Sequence, residues 1–247
     1  MRIFAIQIQP DMRFSIIFFS FLLLAACSKT KTYDMTVTGE VKGLKKGMLY
    51  LQKIEDTLLV SVDSVTIDGD AQFLLHSDLE SNEVFYLHLD KRDGTTENTT
   101  IPFFGEKDTV KITTTLRKFV ADAKIKGSEI QDQLNEFWSM NTKFNEKRLD
   151  YIKALFEAQK DGDQAKADLI TEQMNSLLRR RYLYVANFAV THKESEIAPY
   201  LALTEIYDAH VKLLDTINNS LTSEVKKSKY GKELDAYIKQ IKATEPN

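Results

Sequence analysis

The chain has 247 residues, 43% of them apolar and 28% charged, with a formal net charge of −3 and a pI near 5.9. That balance is ordinary for a globular protein and excludes a polytopic membrane protein, a disordered tail and a collagen-like chain. It also argues against nucleic acid as a partner, because a phosphate-binding surface carries a strong positive excess.

The first element is an apolar leader. Met12-Arg13 precedes the run Phe14 to Leu24, and Leu24-Ala25-Ala26-Cys27 ends it with small residues. A basic start, an apolar centre and a small-residue cut site make a secretory signal. The stretch is about 13 residues, short of the ~20 that span a bilayer. Leu24-Ala25-Ala26-Cys27 resembles a bacterial lipobox, in which Cys27 receives diacylglycerol and the chain is cut ahead of it. Residues 1–26 are therefore expected to be the signal peptide, with translation starting at Met12, since Pro10 and Asp11 stand where the leader should be basic. Residues 27–34 form a tether, and the lipid on Cys27 is the membrane contact. Cys27 is the only cysteine. Once acylated it leaves no thiol for a disulfide, a redox pair, a nucleophile or a thiolate metal site.

From residue 35 to 127 the apolar residues alternate with period two, as half-buried strands require. Met35, Val37 and Val41 alternate; Lys45-Lys46-Gly47 turns into Met48-Leu49-Tyr50-Leu51; Val60, Val62 and Val65 to Ile67 lead to Asp68-Gly69, a hairpin signal before Phe73-Leu74-Leu75. Val84 to Leu89, Ile101 to Phe104, Val110 to Thr114 and Lys124 to Lys126 complete seven or eight short strands. The expected form is an antiparallel β-sandwich or barrel-like sheet.

From residue 128 to 247 the pattern is helical, so the fold class is α+β. Ser128-Glu129-Ile130-Gln131 reads as a capping box. Leu134, Phe137, Trp138, Phe144, Tyr151, Ile152, Leu155 and Phe156 recur at three- and four-residue steps as far as Lys160. Asp161-Gly162-Asp163 breaks the helix, and Asp163 caps a second one to His192, with Leu169, Met174, Leu177, Leu178, Leu183, Val185 and Phe188 as its apolar residues. Three shorter helices follow, from Ser195, Val211 and Ser228. A helical hairpin with packed neighbours is expected.

The chemistry-bearing residues are sparse. Asp161-Gly162-Asp163 places Ala165 and Ala167 where a calcium loop needs oxygen ligands, so it is a turn. His76 and His88 fall on neighbouring expected strands and could share a face, but no third ligand stands near, and no metal site is assigned. His192-Lys193-Glu194-Ser195-Glu196 lacks the spacing that sets two histidines on one helical face. His210 reads as a solvent-facing helix residue. Arg179-Arg180-Arg181 point about 100° apart and make no single anion clamp. There is no nucleophile elbow around Ser64, no phosphate loop and no dinucleotide fingerprint, so no catalytic or cofactor residue is assigned.

Taken in order, Thr38-Gly39, Gly47-Met48-Leu49-Tyr50-Leu51, Asp63-Ser64-Val65, Asp68-Gly69 with Phe73, Phe103-Phe104-Gly105-Glu106, Val110-Lys111-Ile112 and Ile125-Lys126-Gly127-Ser128 resemble the uncharacterised N-terminal domain of Bacteroidetes envelope lipoproteins. In those proteins helices and a thioredoxin-like, thiol:disulfide-interchange domain follow. Ser195-x-x-Ala198-Pro199-Tyr200-Leu201 and Ser228-Lys229-Tyr230-Gly231-Lys232-Glu233-Leu234 are similar to their linker region. Here Asn247 follows without a Cys-x-x-Cys, so the thioredoxin-like domain is expected to be missing and its redox activity is not carried over. The resemblance implies an envelope location and an accessory role. It also suggests O-glycosylation at Asp-Ser/Thr-apolar triplets such as Asp56-Thr57-Leu58 and Asp63-Ser64-Val65. The polar tether Ser28 to Thr32 lacks an acidic run, which favours the periplasmic face of the outer membrane.

The expectation is a non-catalytic lipoprotein that binds or scaffolds an envelope partner. Docking in trans onto a separate thioredoxin-like lipoprotein stands second, and a hydrolase with a site between the two halves third.

Overall fold

The computed structural model describes residues 32–91 and 97–244. Within it Tyr33–Asn247 form one compact unit. Cys27 and the expected leader lie outside the described residues.

Among the described residues eight strands build two four-stranded sheets: β1 (Met35–Lys42), β2 (Lys46–Glu55), β3 (Leu58–Asp68), β4 (Gln72–Ser77), β5 (Glu83–Asp90), β6 (Thr100–Gly105), β7 (Asp108–Thr115) and β8 (Lys124–Lys126). One sheet has the order β4-β1-β7-β8 and the other β3-β2-β5-β6. Period-two alternation sends Val37, Leu49, Leu51, Leu75, Phe85, Leu87, Phe103 and Ile112 into the space between the sheets, where all are buried.

Two details depart from the sequence reading. Neighbouring strands are antiparallel except β1 and β7, which run parallel with Met35 opposite Asp108 and Lys42 opposite Thr115. They pass so close that a Cβ on Gly39 would overlap the Ile112 carbonyl oxygen. Asp68-Gly69 is a corner between the sheets instead of a hairpin, because β3 and β4 belong to different ladders. The tight hairpin is at Asp56-Thr57, which joins Glu55 to its partner Leu58.

The helices are α1 (Glu129–Lys160), α2 (Gln164–Thr191), α3 (Ile197–Glu205), α4 (Val211–Ser220) and α5 (Lys229–Thr244), with a 3₁₀ turn at Val225–Lys227. The Ser128 hydroxyl caps α1 by accepting from the Gln131 amide at 3.0 Å, and the Asp163 carboxylate accepts from the Lys166 amide at 3.0 Å at the start of α2. Only half of the expected capping box forms. The Gln131 side chain turns to the sheet, where Oε1 accepts from the Phe104 amide at 2.9 Å and so covers the open edge of β6.

α1 and α2 pack as an antiparallel pair through a seven-residue seam. Phe137, Asn141, Phe144, Tyr151, Leu155 and Ala158 on α1 meet Ala167, Ile170, Met174, Leu177, Arg181, Tyr184 and Phe188 on α2. A two-helix seam covers a narrower arc than a helix facing a full core. Trp138, Ile152 and Phe156 on α1, and Leu169, Leu178 and Leu183 on α2, are therefore exposed, although their periodicity marked them as core. Inside the seam Arg181 Nε donates to Asn141 Oδ1 at 2.9 Å, and its guanidinium pairs with Glu205 of α3. Arg179 and Arg180 remain exposed. The Arg triplet thus divides into two solvated cations and one structural one.

The helical half shares a core with the sheet. Val84 and Phe104, on the outer face of β5 and β6, belong to the apolar cluster formed by α1 to α5. Phe104 is fully buried, with Tyr200 of α3 and Tyr230 of α5 edge-on to it at 5.0 and 6.2 Å between ring centroids. At the N-terminus of α5, Lys229 donates its amide to Ser81 Oγ at 3.1 Å and its ammonium to the Ile54 carbonyl at 2.7 Å, and pairs with the buried Glu83. The Tyr230 hydroxyl accepts from the Val84 amide at 3.0 Å. A Cβ on Gly231 would overlap the Val225 carbonyl oxygen. Within Ser228-Lys229-Tyr230-Gly231, Lys229 and Tyr230 therefore fasten helices to strands, while Ser228 and Gly231 hold the start of α5 against the 3₁₀ turn.

Candidate functional site

A groove of about 580 Å³ opens where strands and helices meet. Its floor and walls come from the loop before β5 (Asn82), the β6–β7 turn (Glu106), the first turns of α1 (Glu129, Ile130, Gln133), the α2–α3 turn (His192 to Glu196) and the residues before the 3₁₀ turn (Glu224). A second hollow of about 470 Å³ shares Asn82, Glu106, Glu196 and Glu224 with it and adds Glu80, Lys107 and Lys227. Together the two are lined by six glutamates against three lysines, so the groove is biased toward cationic ligands.

Local sequence explains the shape. α2 ends where the Phe188 and Ala189 carbonyls accept from the His192 amide, and the Ser195 amide donates to the His192 carbonyl at 2.9 Å, which turns the chain tightly into α3. The Glu106 carboxylate accepts from the Ile130 amide at 3.0 Å, adding a strand-borne cap to the N-terminus of α1. Asn82 Nδ2 donates to Glu196 Oε1 at 3.2 Å and ties the β4–β5 loop to α3.

The groove holds the serine and histidine that a hydrolase between the halves would need, but it holds them apart in role. The Ser195 hydroxyl donates to Gln133 Oε1 at 2.6 Å and accepts from the Ile197 amide at 3.4 Å. His192 Nδ1 donates to the Phe188 carbonyl at 2.8 Å, and the ring stacks on Phe188 with centroids 4.0 Å apart. Both groups frame the turn, and the described geometry contains no Ser195–His192 hydrogen bond to activate a nucleophile.

The other histidines are separated. His76 lies on β4 in one sheet, stacked against Tyr33 at 4.7 Å with Nδ1 3.3 Å from Thr36 Oγ1. His88 lies on β5 in the other sheet, with Nδ1 3.0 Å from Thr100 Oγ1 and its ring near Tyr50. The shared face expected of them does not exist, because the strands joined through Asp78 to Asn82 belong to different sheets. His210 is exposed and caps α4, its Nδ1 accepting from the Lys212 amide at 3.2 Å. Among the described residues no group of three or more His, Cys, Asp or Glu is placed to hold a metal ion. No described helix is long and apolar enough to cross a membrane.

Burial perturbs several titratable groups of the helical half. Desolvation pushes the Tyr200 hydroxyl up to about 12 and raises Tyr230 further, so both remain un-ionised donors and acceptors. Desolvation also raises Glu205, with Arg181 pulling against it, and raises Glu233. Sequence reasoning missed Asn82, Glu106, Gln131, Gln133 and Glu224. Glu106 and Gln131 stood inside quoted motifs, but nothing in the spacing marked Asn82, Gln133 or Glu224.

Residues 35–134 match the family model of a domain of unknown function, DUF4369. The matched span runs from β1 into the second turn of α1. It therefore contributes Asn82, Glu106, Glu129 and Gln133 to the groove, while the α2–α3 turn and Glu224 lie beyond it. No curated protein and no solved structure matches the chain.

Proposed function

We propose that this chain is an envelope lipoprotein, held to the membrane by diacylglycerol on Cys27 and facing the periplasm, that works by binding a partner. The observation that carries the reading is the junction groove. It is open, acidic and walled by both halves, and its serine, histidine and amide side chains are committed to the frame. The anchor rests on the Leu24-Ala25-Ala26-Cys27 run after an apolar leader. Two acyl chains provide the double signal that stable membrane attachment requires.

Two measurements test this. Intact mass of protein isolated from membranes is expected to show an acylated Cys27 at the N-terminus; a free thiol on a retained leader overturns the anchor. A photo-reactive side chain at Lys193 in living cells is expected to trap a discrete adduct that the same group at Leu169 does not. No adduct from the groove, or equal labelling from both positions, overturns the binding reading.

Docking in trans onto a thioredoxin-like lipoprotein is the second reading. It is favoured by the DUF4369 match over the stretch that resembles the N-terminal domain of Bacteroidetes lipoproteins of that kind. An adduct at Lys193 containing a Cys-x-x-Cys protein is its expected signature; unchanged envelope disulfide status after deletion of the gene counts against it.

A further inference from the structure

α1 carries two seams of the same period, and only one is filled. The first, through Phe137, Phe144, Tyr151 and Ala158, packs on α2. The second is shifted by one residue and runs Trp138, Thr142, Asn145, Leu149, Ile152, Phe156, with steps of four and three. At 100° per residue these six positions fall within an arc of about 80° and rise over about 27 Å. All six are exposed. A shallow groove of about 220 Å³ beside Asn145 carries the apolar surface onto Leu178 of α2. A helix with two adjacent seven-residue seams is built for a bundle of more than two helices.

We infer that the second seam is covered by a second copy of this chain, α1 against α1 in antiparallel sense, so that two hairpins form a four-helix bundle. The spacing is its own mirror: with a two-fold axis level with residue 147, Trp138 meets Phe156 of the other copy, Thr142 meets Ile152 and Asn145 meets Leu149, each pair occurring twice. That reciprocity is what an isologous contact requires. Lys147, level with the axis, points away from the seam on the helical wheel and brings no like charges together.

The area is sufficient. Trp138 is 39% exposed, Leu149 60%, Ile152 41%, Phe156 67% and Leu178 45%. With aromatic side chains of 150–250 Å² and aliphatic ones somewhat smaller, they present roughly 500 Å² of apolar surface, so two copies cover about 1,000 Å² before any polar rim is counted. A total of about 1,000 Å² reaches the threshold for a specific interface, and the roughly 500 Å² on each copy lies within the 300–600 Å² range of the largest apolar patches on monomers, which are often functional. Pairing level with residue 147 sets Lys160 opposite Leu134. The overlap thus stops short of the first turn of α1, where Ile130 and Gln131 meet the sheet.

The test uses Ser28–Asn247, which contains the whole compact unit and no cysteine. Sedimentation equilibrium at tens of micromolar is expected to give the dimer mass. Leu149→Asp and Phe156→Asp each weaken association about 100-fold or more, while Leu183→Asp, an exposed leucine outside the seam, leaves it intact. Because these side chains are exposed, circular dichroism should stay unchanged in all three. Mixed chains carrying Thr142→Cys and Ile152→Cys should form a disulfide faster than either alone. A monomer at every concentration, a dimer indifferent to Leu149→Asp and Phe156→Asp, or cross-linking that favours like positions overturns the inference.

Discussion

Phe104→Ala tests whether strands and helices are one cooperative body. Phe104 is fully buried on the outer face of β6 and belongs to the helical core instead of the sandwich core. Removing a buried phenylalanine ring costs about 3–5 kcal/mol, partly as lost transfer energy and partly as the cavity left between Tyr200 and Tyr230. The sandwich core, with Phe85, Phe103 and Leu87, keeps its own packing, so the loss falls on the helices and on their attachment. Trp138 is the only tryptophan and stands on α1, so its fluorescence reports the helical half alone. In urea, the parent protein should show coincident transitions by Trp138 fluorescence and by hydrogen exchange of β1, β2 and β5 amides. In Phe104→Ala the fluorescence transition moves to lower urea and separates from the strand signal. A loss under about 1 kcal/mol, or separated transitions in the parent, refutes the shared core.

Three further outcomes follow from the same geometry. Gly231→Ala gains about 1 kcal/mol of helix propensity, yet its Cβ meets backbone atoms of Val225 and Lys226 that no rotamer change can move, so a net loss of about 1–3 kcal/mol is expected by denaturant unfolding; a stabilised variant contradicts the tight approach. Tyr230→Phe keeps the ring but strands the Val84 amide, and should cost about 1–3 kcal/mol while hastening exchange of that amide; an unchanged exchange rate contradicts the bond. Glu205 has its pKa raised above 4.5 by burial, so the folded state holds its proton more tightly than the unfolded state does. Its contribution to stability is full below about pH 4.5 and is lost as pH rises through the higher folded value. Glu205→Gln should therefore flatten the decline in unfolding free energy across that window, and an identical pH slope in parent and variant would show that Glu205 titrates normally.

Most of the architecture was legible because it depends on local rules. Alternation located the strands, Ser128 and Asp163 announced helix starts, and Asp161-Gly162 marked the hairpin turn. What stayed hidden depends on partners distant in the chain. Nothing near Asp68-Gly69 says that the next strand joins the other sheet. The parallel partner of β1 is seventy residues away. Trp138 and Phe137 are neighbours with the same apolar signal, and only the position of α2 decides that one is core and the other surface. The groove was illegible for the same reason, since Asn82, Glu106, Ser195 and Glu224 come from four separate connections. Ser228-Lys229-Tyr230-Gly231 was visible as a motif, but its meaning needed Ser81, Glu83 and Val84 beside it.

β1 occupies an inner place in its sheet, flanked by β4 on one side and β7 on the other. Neither flank exists when the strand leaves the ribosome; the first arrives some thirty-five residues later and the second only after Thr115 has been added. The first strand to be synthesised is therefore among the last to complete its hydrogen-bonding neighbours. A nascent chain cut short before that residue could pair β1 with β4 alone and would leave the edge that β7 covers open, and translation must outrun aggregation across that interval.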